Sequence, residues 1–147
     1  MGLPLKTMSA LAFHLAAPIK DKEETRRFYQ DVLGCEVGRE AESWIDFDFF
    51  GHQLSFHVKP EELTNISAND VDGKNVPVRH FGAILEWTAW HNLADKIKQS
   101  GTEFIIDPYI RFKGETGEQA TMFFLDPSGN ALEFKSFKDP DQIFAKA

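Results

Sequence analysis

Alternation with period two dominates the chain. Trp44 to Phe50 sets Ile45, Phe47 and Phe49 against Trp44, Asp46, Asp48 and Phe50. Ala131 to Phe137 sets Leu132, Phe134 and Ser136 against Ala131, Glu133, Lys135 and Phe137. Side chains two apart share a face of a strand, so both stretches predict half-buried strands. Met8 to Pro18 predicts a first strand, with Leu11, Phe13 and Leu15 opposite Ala12, His14 and Ala16. Cys35 to Gly38, Gln53 to Val58, Val78 to Trp87, Phe104 to Ile106 and Met122 to Leu125 predict further strands. The period lengthens twice. Asp21 is placed to cap a helix reaching Leu33, with Phe28, Tyr29, Val32 and Leu33 as its apolar stripe and Gly34 as its stop. Thr88 is placed to cap a second, to Ser100, with Trp90, Leu93, Ala94 and Ile97 inward and Gly101 after it.

Between these patterned stretches, Lys59 to Val76 is polar and turn-rich, holding Pro60, Asn65, Asn69, Asp70, Asp72, Gly73 and Asn75. It reads as a connector between halves. On either side the order is the same: strand, helix, glycine, short strand, loop, strand, turn, strand. His14 precedes Gly34 by 20 residues and His80 precedes Gly101 by 21. Aligning Gly51-His52-Gln53-Leu54-Ser55-Phe56 with Gly129-Asn130-Ala131-Leu132-Glu133-Phe134 sets Ser55 on Glu133. A duplicated βαβββ unit is the simplest account. The fold class is α+β, one domain built of a first module over about 8–58, a linker over 59–77, a second module over 78–137 and a tail over 138–147.

Composition narrows the partners. A net charge of −7 argues against nucleic acid or an anionic membrane surface, which need clustered cations. The single cysteine, Cys35, excludes an internal disulfide or a cysteine metal cluster and suits a reducing cytoplasm. No apolar run approaches the ~18 residues of a membrane span. The start resembles a signal peptide only faintly, because His14 interrupts its apolar patch, and Lys6 stands where a myristoylation signal after Gly2 wants Ser or Thr.

Duplication gives the polar residues a shared geometry. Modules meeting about a pseudo-twofold axis bring His14, Ser55, His80 and Glu133 to equivalent positions in one cleft. A lone strand histidine is more often structural than a ligand. Two at matching positions, with a carboxylate at a third, make a facial triad of the non-haem Fe(II) type, with open positions for substrate and O₂. Ala12, Ala16, Gly82 and Ala131 leave room beside them. His57 shares a face with Ser55 and is either an acid or base near that centre or a rim residue without a role. His52 in a turn and His91 on a helix read as surface residues.

FFLDPSGNALEF, with FYQDVLG after the first strand, resembles the vicinal oxygen chelate superfamily of glyoxalase I, bleomycin and fosfomycin resistance proteins and extradiol dioxygenases. The similarity runs over about 11–137. WIDFDFFGHQLSFH and RFKGETGEQATMFFLDPSGNALEFK resemble a narrower, extradiol-dioxygenase-like group of small proteins. The resemblance implies paired βαβββ modules in an open, cup-shaped mixed sheet with helices outside, and often a homodimer. Mapped onto this sequence, it implies His14, His80 and Glu133 as ligands of a divalent metal, Fe(II) first and Mn(II) or another ion second. It also implies His57 and Tyr109 as counterparts of the histidine and tyrosine around the substrate. Extradiol enzymes usually carry two such domains, and this chain has one. Ser55, where glyoxalase I holds a further ligand, argues against that activity.

The expected function is a metal-dependent extradiol dioxygenase acting on a small catechol. Tyr109, Arg111 and Lys113 then either contact an anionic substrate tail or form a mobile rim, against the plainer reading of Arg111 and Lys113 as a solvated hairpin loop. The alternatives are a metal-dependent thiol transferase or lyase, and a non-enzymatic binding protein using an aromatic cleft of Trp44, Phe56 and Phe123.

Overall fold

The computed structural model describes residues 9–63, 67–71 and 74–146, without the side chains of 67–71. The chain before Ser9, with Gly2, Lys6 and Met8, lies outside the described residues, as do Asn65, Asp72 and Gly73 of the connector.

Both halves form four-stranded mixed sheets. β1 (His14–Ile19), β2 (Glu36–Ala41), β3 (Trp44–Phe49) and β4 (His52–Val58) build the first, ordered β1-β4-β3-β2. After the connector come β5 (Ser67–Val71) and β6 (Lys74–Val78), a two-stranded antiparallel hairpin. β7 (Phe81–Ile84), β8 (Phe104–Arg111), β9 (Gln119–Leu125) and β10 (Ala131–Phe137) build the second sheet, ordered β7-β10-β9-β8. In each, the module's first strand runs parallel to its last and the other pairs are antiparallel. The duplicated βαβββ order is thus present, as two sheets rather than one continuous one.

Register fixes the equivalence residue by residue. Ala16 pairs with Ser55, and Gly82 pairs with Glu133. His14 and His80 each lie two residues before those partners, so the alignment of His14 with His80 and of Ser55 with Glu133 holds in space.

Asp21 caps α1 (Lys22–Arg27), its carboxylate accepting from Glu24 N–H at 2.8 Å. The helix then widens into a π turn over Phe28–Val32. That extra residue per turn faces both Phe28 and Tyr29 into the core. The second helix, α2 (Trp87–Gln99), starts one step earlier than Thr88 suggests. Glu86 is its cap, because its extended backbone lets the carboxylate reach Ala89 N–H at 3.0 Å.

Other boundaries moved too. The first strand begins at His14, and Leu11 and Phe13 are exposed rather than sharing the buried face of Leu15. β8 extends through what reads as a loop. It crosses Pro108 by shifting register between Ile106 and Tyr109, which spares the missing amide.

One core serves both modules. Leu54, Phe56, Ile45 and Phe47 from the first sheet join Phe124, Phe134, Met122 and Leu132 from the second around Tyr29 and Trp90. Rings cross the divide at Phe28–Phe124 (6.1 Å) and Phe49–Phe134 (5.8 Å). The turn after β9 locks the halves together. Tyr29 donates to Asp126 Oδ2 at 2.9 Å, Asn130 donates to the Pro18 carbonyl at 3.1 Å, and Lys20 N–H donates to Ser128 Oγ at 3.0 Å. No helix among the described residues is long and apolar enough to cross a membrane.

Candidate functional site

Pleating sends Ala131, Glu133 and Lys135 of β10 away from the shared core, beside Phe123 and Thr121 of β9. On an open sheet this face would be wet. Here the connector hairpin packs on part of it: Val76 joins Ile106 and Phe123 in a second cluster that Tyr109 flanks, and the Lys74 ammonium sits 4.8 Å from the Tyr109 ring centre. Glu133 is only 8 % exposed.

A buried carboxylate needs donors, and Glu133 has two. His80 Nε2 stands 3.1 Å from Oε1, and the Thr121 hydroxyl donates to Oε2 at 2.5 Å. Burial pushes the Glu133 carboxyl up, but the bonds from His80 and Thr121 outweigh it and hold it below its ordinary value. The same bond to Glu133 raises His80. His80 is oriented from its other side, where Nδ1 meets the Pro77 carbonyl at 2.5 Å and the Phe123 ring packs edge-on at 5.0 Å. With Nδ1–H donating to that carbonyl and Nε2–H donating to Glu133, His80 carries both ring protons, and giving up the one on Nε2 exposes a lone pair there.

Gly82 makes this closeness possible. A Cβ there would lie 1.5 Å from the Glu133 carbonyl oxygen, so no other residue lets β7 run this near β10.

Two clefts meet beside the pair. The larger, about 520 Å³, opens between β1 and the start of the second sheet and is lined by Leu15, Ala16, Pro18, Leu63, Arg79 and His80, among others. The second, about 510 Å³, shares Ala16, Pro18 and Arg79 and adds His57 and Lys59. A shallower depression of about 240 Å³ exposes His80, Glu133 and Lys135 from the β7 side.

The sequence-derived site residues therefore divide. His80 and Glu133 come together. His57 borders a cleft adjoining theirs. His14 is exposed on the open outer face of the first sheet, in register with Gln53. Tyr109 lines none of these clefts and packs beneath Lys74. The aromatic cleft does not form, because Phe56 is fully buried in the shared core while Trp44 pairs with His57 on the opposite face and Phe123 belongs to the other sheet. Sequence reasoning missed Thr121, on the same face as Glu133 one strand away, and Arg79, which no motif marks.

The model of the glyoxalase/bleomycin resistance protein/dioxygenase superfamily matches residues 12–134. The chain belongs to that superfamily. A solved glyoxalase/bleomycin resistance protein/dioxygenase from Alicyclobacillus acidocaldarius shares 36 % identity and a TM-score of 0.75, over 90 % of this chain and 96 % of that one. Virulence protein STM3117 of Salmonella typhimurium is 23 % identical over 124 residues, 84 % of this chain and 82 % of the relative. The fosfomycin resistance protein FosX of Listeria monocytogenes matches at TM-score 0.66 and 19 % identity, over 88 % of this chain and 94 % of that one, a likeness of fold alone. The superfamily is mostly enzymatic and generally uses divalent metals.

The donor chemistry suits a metal in part. Two ligands each ~2.1 Å from one ion and at right angles lie ~3 Å apart, the spacing of His80 Nε2 and Glu133 Oε1. Among the described residues, no three of His, Cys, Asp and Glu converge to complete such a set. His14 is not brought to the pair within this chain.

Proposed function

We propose that this superfamily member is a divalent-metal enzyme of the ring-cleaving dioxygenase kind, acting on a small aromatic diol. His80 and Glu133 are two ligands and His14 is the third. The observation that carries the reading is the His80–Glu133 pair, preset at ligand spacing with Thr121 fixing the carboxylate and Pro77 fixing the imidazole. Fe(II) suits two imidazoles and one carboxylate best, with Mn(II) next. The metal, when bound, supplies a Lewis acid and a template for two reactants.

The chain's own residues do the rest. Thr121 prevents the carboxylate from rotating, and Pro77 keeps Nε2 directed inward. His57 borders the approach, where it would move a proton between substrate and water. His14 completes the set in a homodimer. β1 and β7 are each one edge of their sheet, with exposed Phe13 just before the first and exposed Ile84 on the second. A second copy laid edge to edge brings its His14 toward the pair.

Anaerobic loading with Fe(II), followed by O₂ uptake over a catechol panel and metal analysis, tests this. Wild type should retain about one ion per chain and consume O₂. His14→Ala, His80→Ala and Glu133→Ala should each lose the ion. Metal retained without O₂ uptake on any diol would favour a thiol transferase or lyase. No metal bound, and ligand binding indifferent to Glu133→Ala, would favour a binding protein.

A further inference from the structure

Arg79 separates the two main clefts and lines both. Its guanidinium forms no ion pair with any described residue, in contrast to Arg26, which is held by Glu23 and Glu40. The one carboxylate sharing both clefts, Glu62, already faces the Lys59 ammonium at 3.5 Å. His57 and Lys59 add cationic or donor groups on one side of Arg79. On the other side Ser128 Oγ accepts from Lys20 N–H, which leaves its own proton to give. The remaining wall of the larger cleft is apolar, from Leu15, Ala16, Pro18, Leu63, Phe81 and Ala131. In a chain of net charge −7, free anions are repelled overall, so a cation facing such a wall selects for a particular ligand.

We propose that the cleft between β1 and the start of the second sheet binds a small organic anion, a carboxylate or phosphate on an apolar body, with the anionic group on the Arg79 guanidinium. The planar fork of Arg79 meets either group with two parallel hydrogen bonds. The apolar body lies along Leu15, Pro18 and Phe81 and directs its far end toward His80. This names the substrate class of the site proposed above, and it rests on that reading for the reaction but not for binding.

The test uses intact protein freed of metal by dialysis, with benzoate, phenyl phosphate and uncharged benzyl alcohol as probes, followed by ligand-observed NMR and calorimetry. At low salt at least one anion should bind tenfold or more tightly than benzyl alcohol, and that advantage should shrink as salt rises. The tighter anion identifies the headgroup. Arg79→Ala should erase the advantage while leaving benzyl alcohol binding and the melting temperature unchanged, and Arg79→Lys should restore part of it. Equal binding of charged and uncharged probes by wild type, or an advantage that survives Arg79→Ala, overturns the proposal. A protein that takes up no ion on anaerobic Fe(II) loading yet shows the Arg79 effect would overturn the reaction proposed above and leave this inference standing.

Discussion

The two modules share a strand order and register yet bury their outer faces to different extents. On the first sheet, His14, Gln53, Asp48 and His57 look outward and are exposed. At the matching stations of the second, Ala131 is buried and His80 and Lys135 are half-buried, with Leu125 exposed, while Ser55 and its counterpart Glu133 are buried in both sheets. Duplication supplied two similar surfaces, and the connector packs Val76 against part of one. Glu133, on the interior strand β10, is buried with partners on both oxygens, where the first sheet has Ser55. The difference also separates the candidate ligands: Glu133 is buried and His80 half-buried, while His14 is exposed.

The largest expected effect breaks the symmetry at its tightest point. Gly82→Ala should cost about 3 kcal/mol or more in urea unfolding, because β7 must part from β10. Its counterpart Ala16→Gly should cost within ~1 kcal/mol. If both were equally mild, the close approach at Gly82 would not be what sets the second module apart.

Next comes the face the modules share. Tyr29→Phe should cost about 1–3 kcal/mol by leaving the buried Asp126 short of a donor. Burial first, then the Asp126 charge, raises the Tyr29 phenol well above its ordinary value of 10.0. The unfolded tyrosine gives up its proton at lower pH than the folded one. This contribution to stability is therefore whole below pH ~10 and is lost as pH rises past it. Burial pushes the Cys35 thiol up from 9.0 to about 12, so it adds a slope of the same sign from about pH 9. Alkaline unfolding curves should be shallower in Tyr29→Phe than in wild type.

Smaller still is removal of part of the cover. Val76→Ala should cost roughly 1–2 kcal/mol and speed amide exchange on β9 and β10 selectively. Gln53→Ala, on the open face, should stay within ~0.5 kcal/mol. Equal exchange behaviour in both variants would mean the hairpin does not shield the second sheet.

Much of this was legible in the chain. Period two marked β3, β4 and β10, and Asp21 with Gly34 bounded the first helical segment, because those signals are local. The pairing of His80 with Glu133 followed from repeat arithmetic. The hairpin over Lys74–Val78 was not legible, since its polar residues read as a connector and only Val76 and Pro77 turn inward. Thr121 was hidden for a related reason: a threonine on a strand is unremarkable until the neighbouring strand places a carboxylate beside it. Arg79 became visible only when folding set it between two clefts, where the nearby acid, Glu62, is turned to Lys59.

The turn around Asp126 carries one more consequence. Its bonds to Pro18, Lys20 and Tyr29 span 97 to 112 positions of chain. A polypeptide severed after Leu63 would leave each fragment with half an interior and with severed tethers. Neither fragment should settle alone, while mixing them should reconstitute the native far-ultraviolet and tryptophan signals. By that criterion the protein is one cooperative body whose halves, however alike, complement each other as a lock does its key.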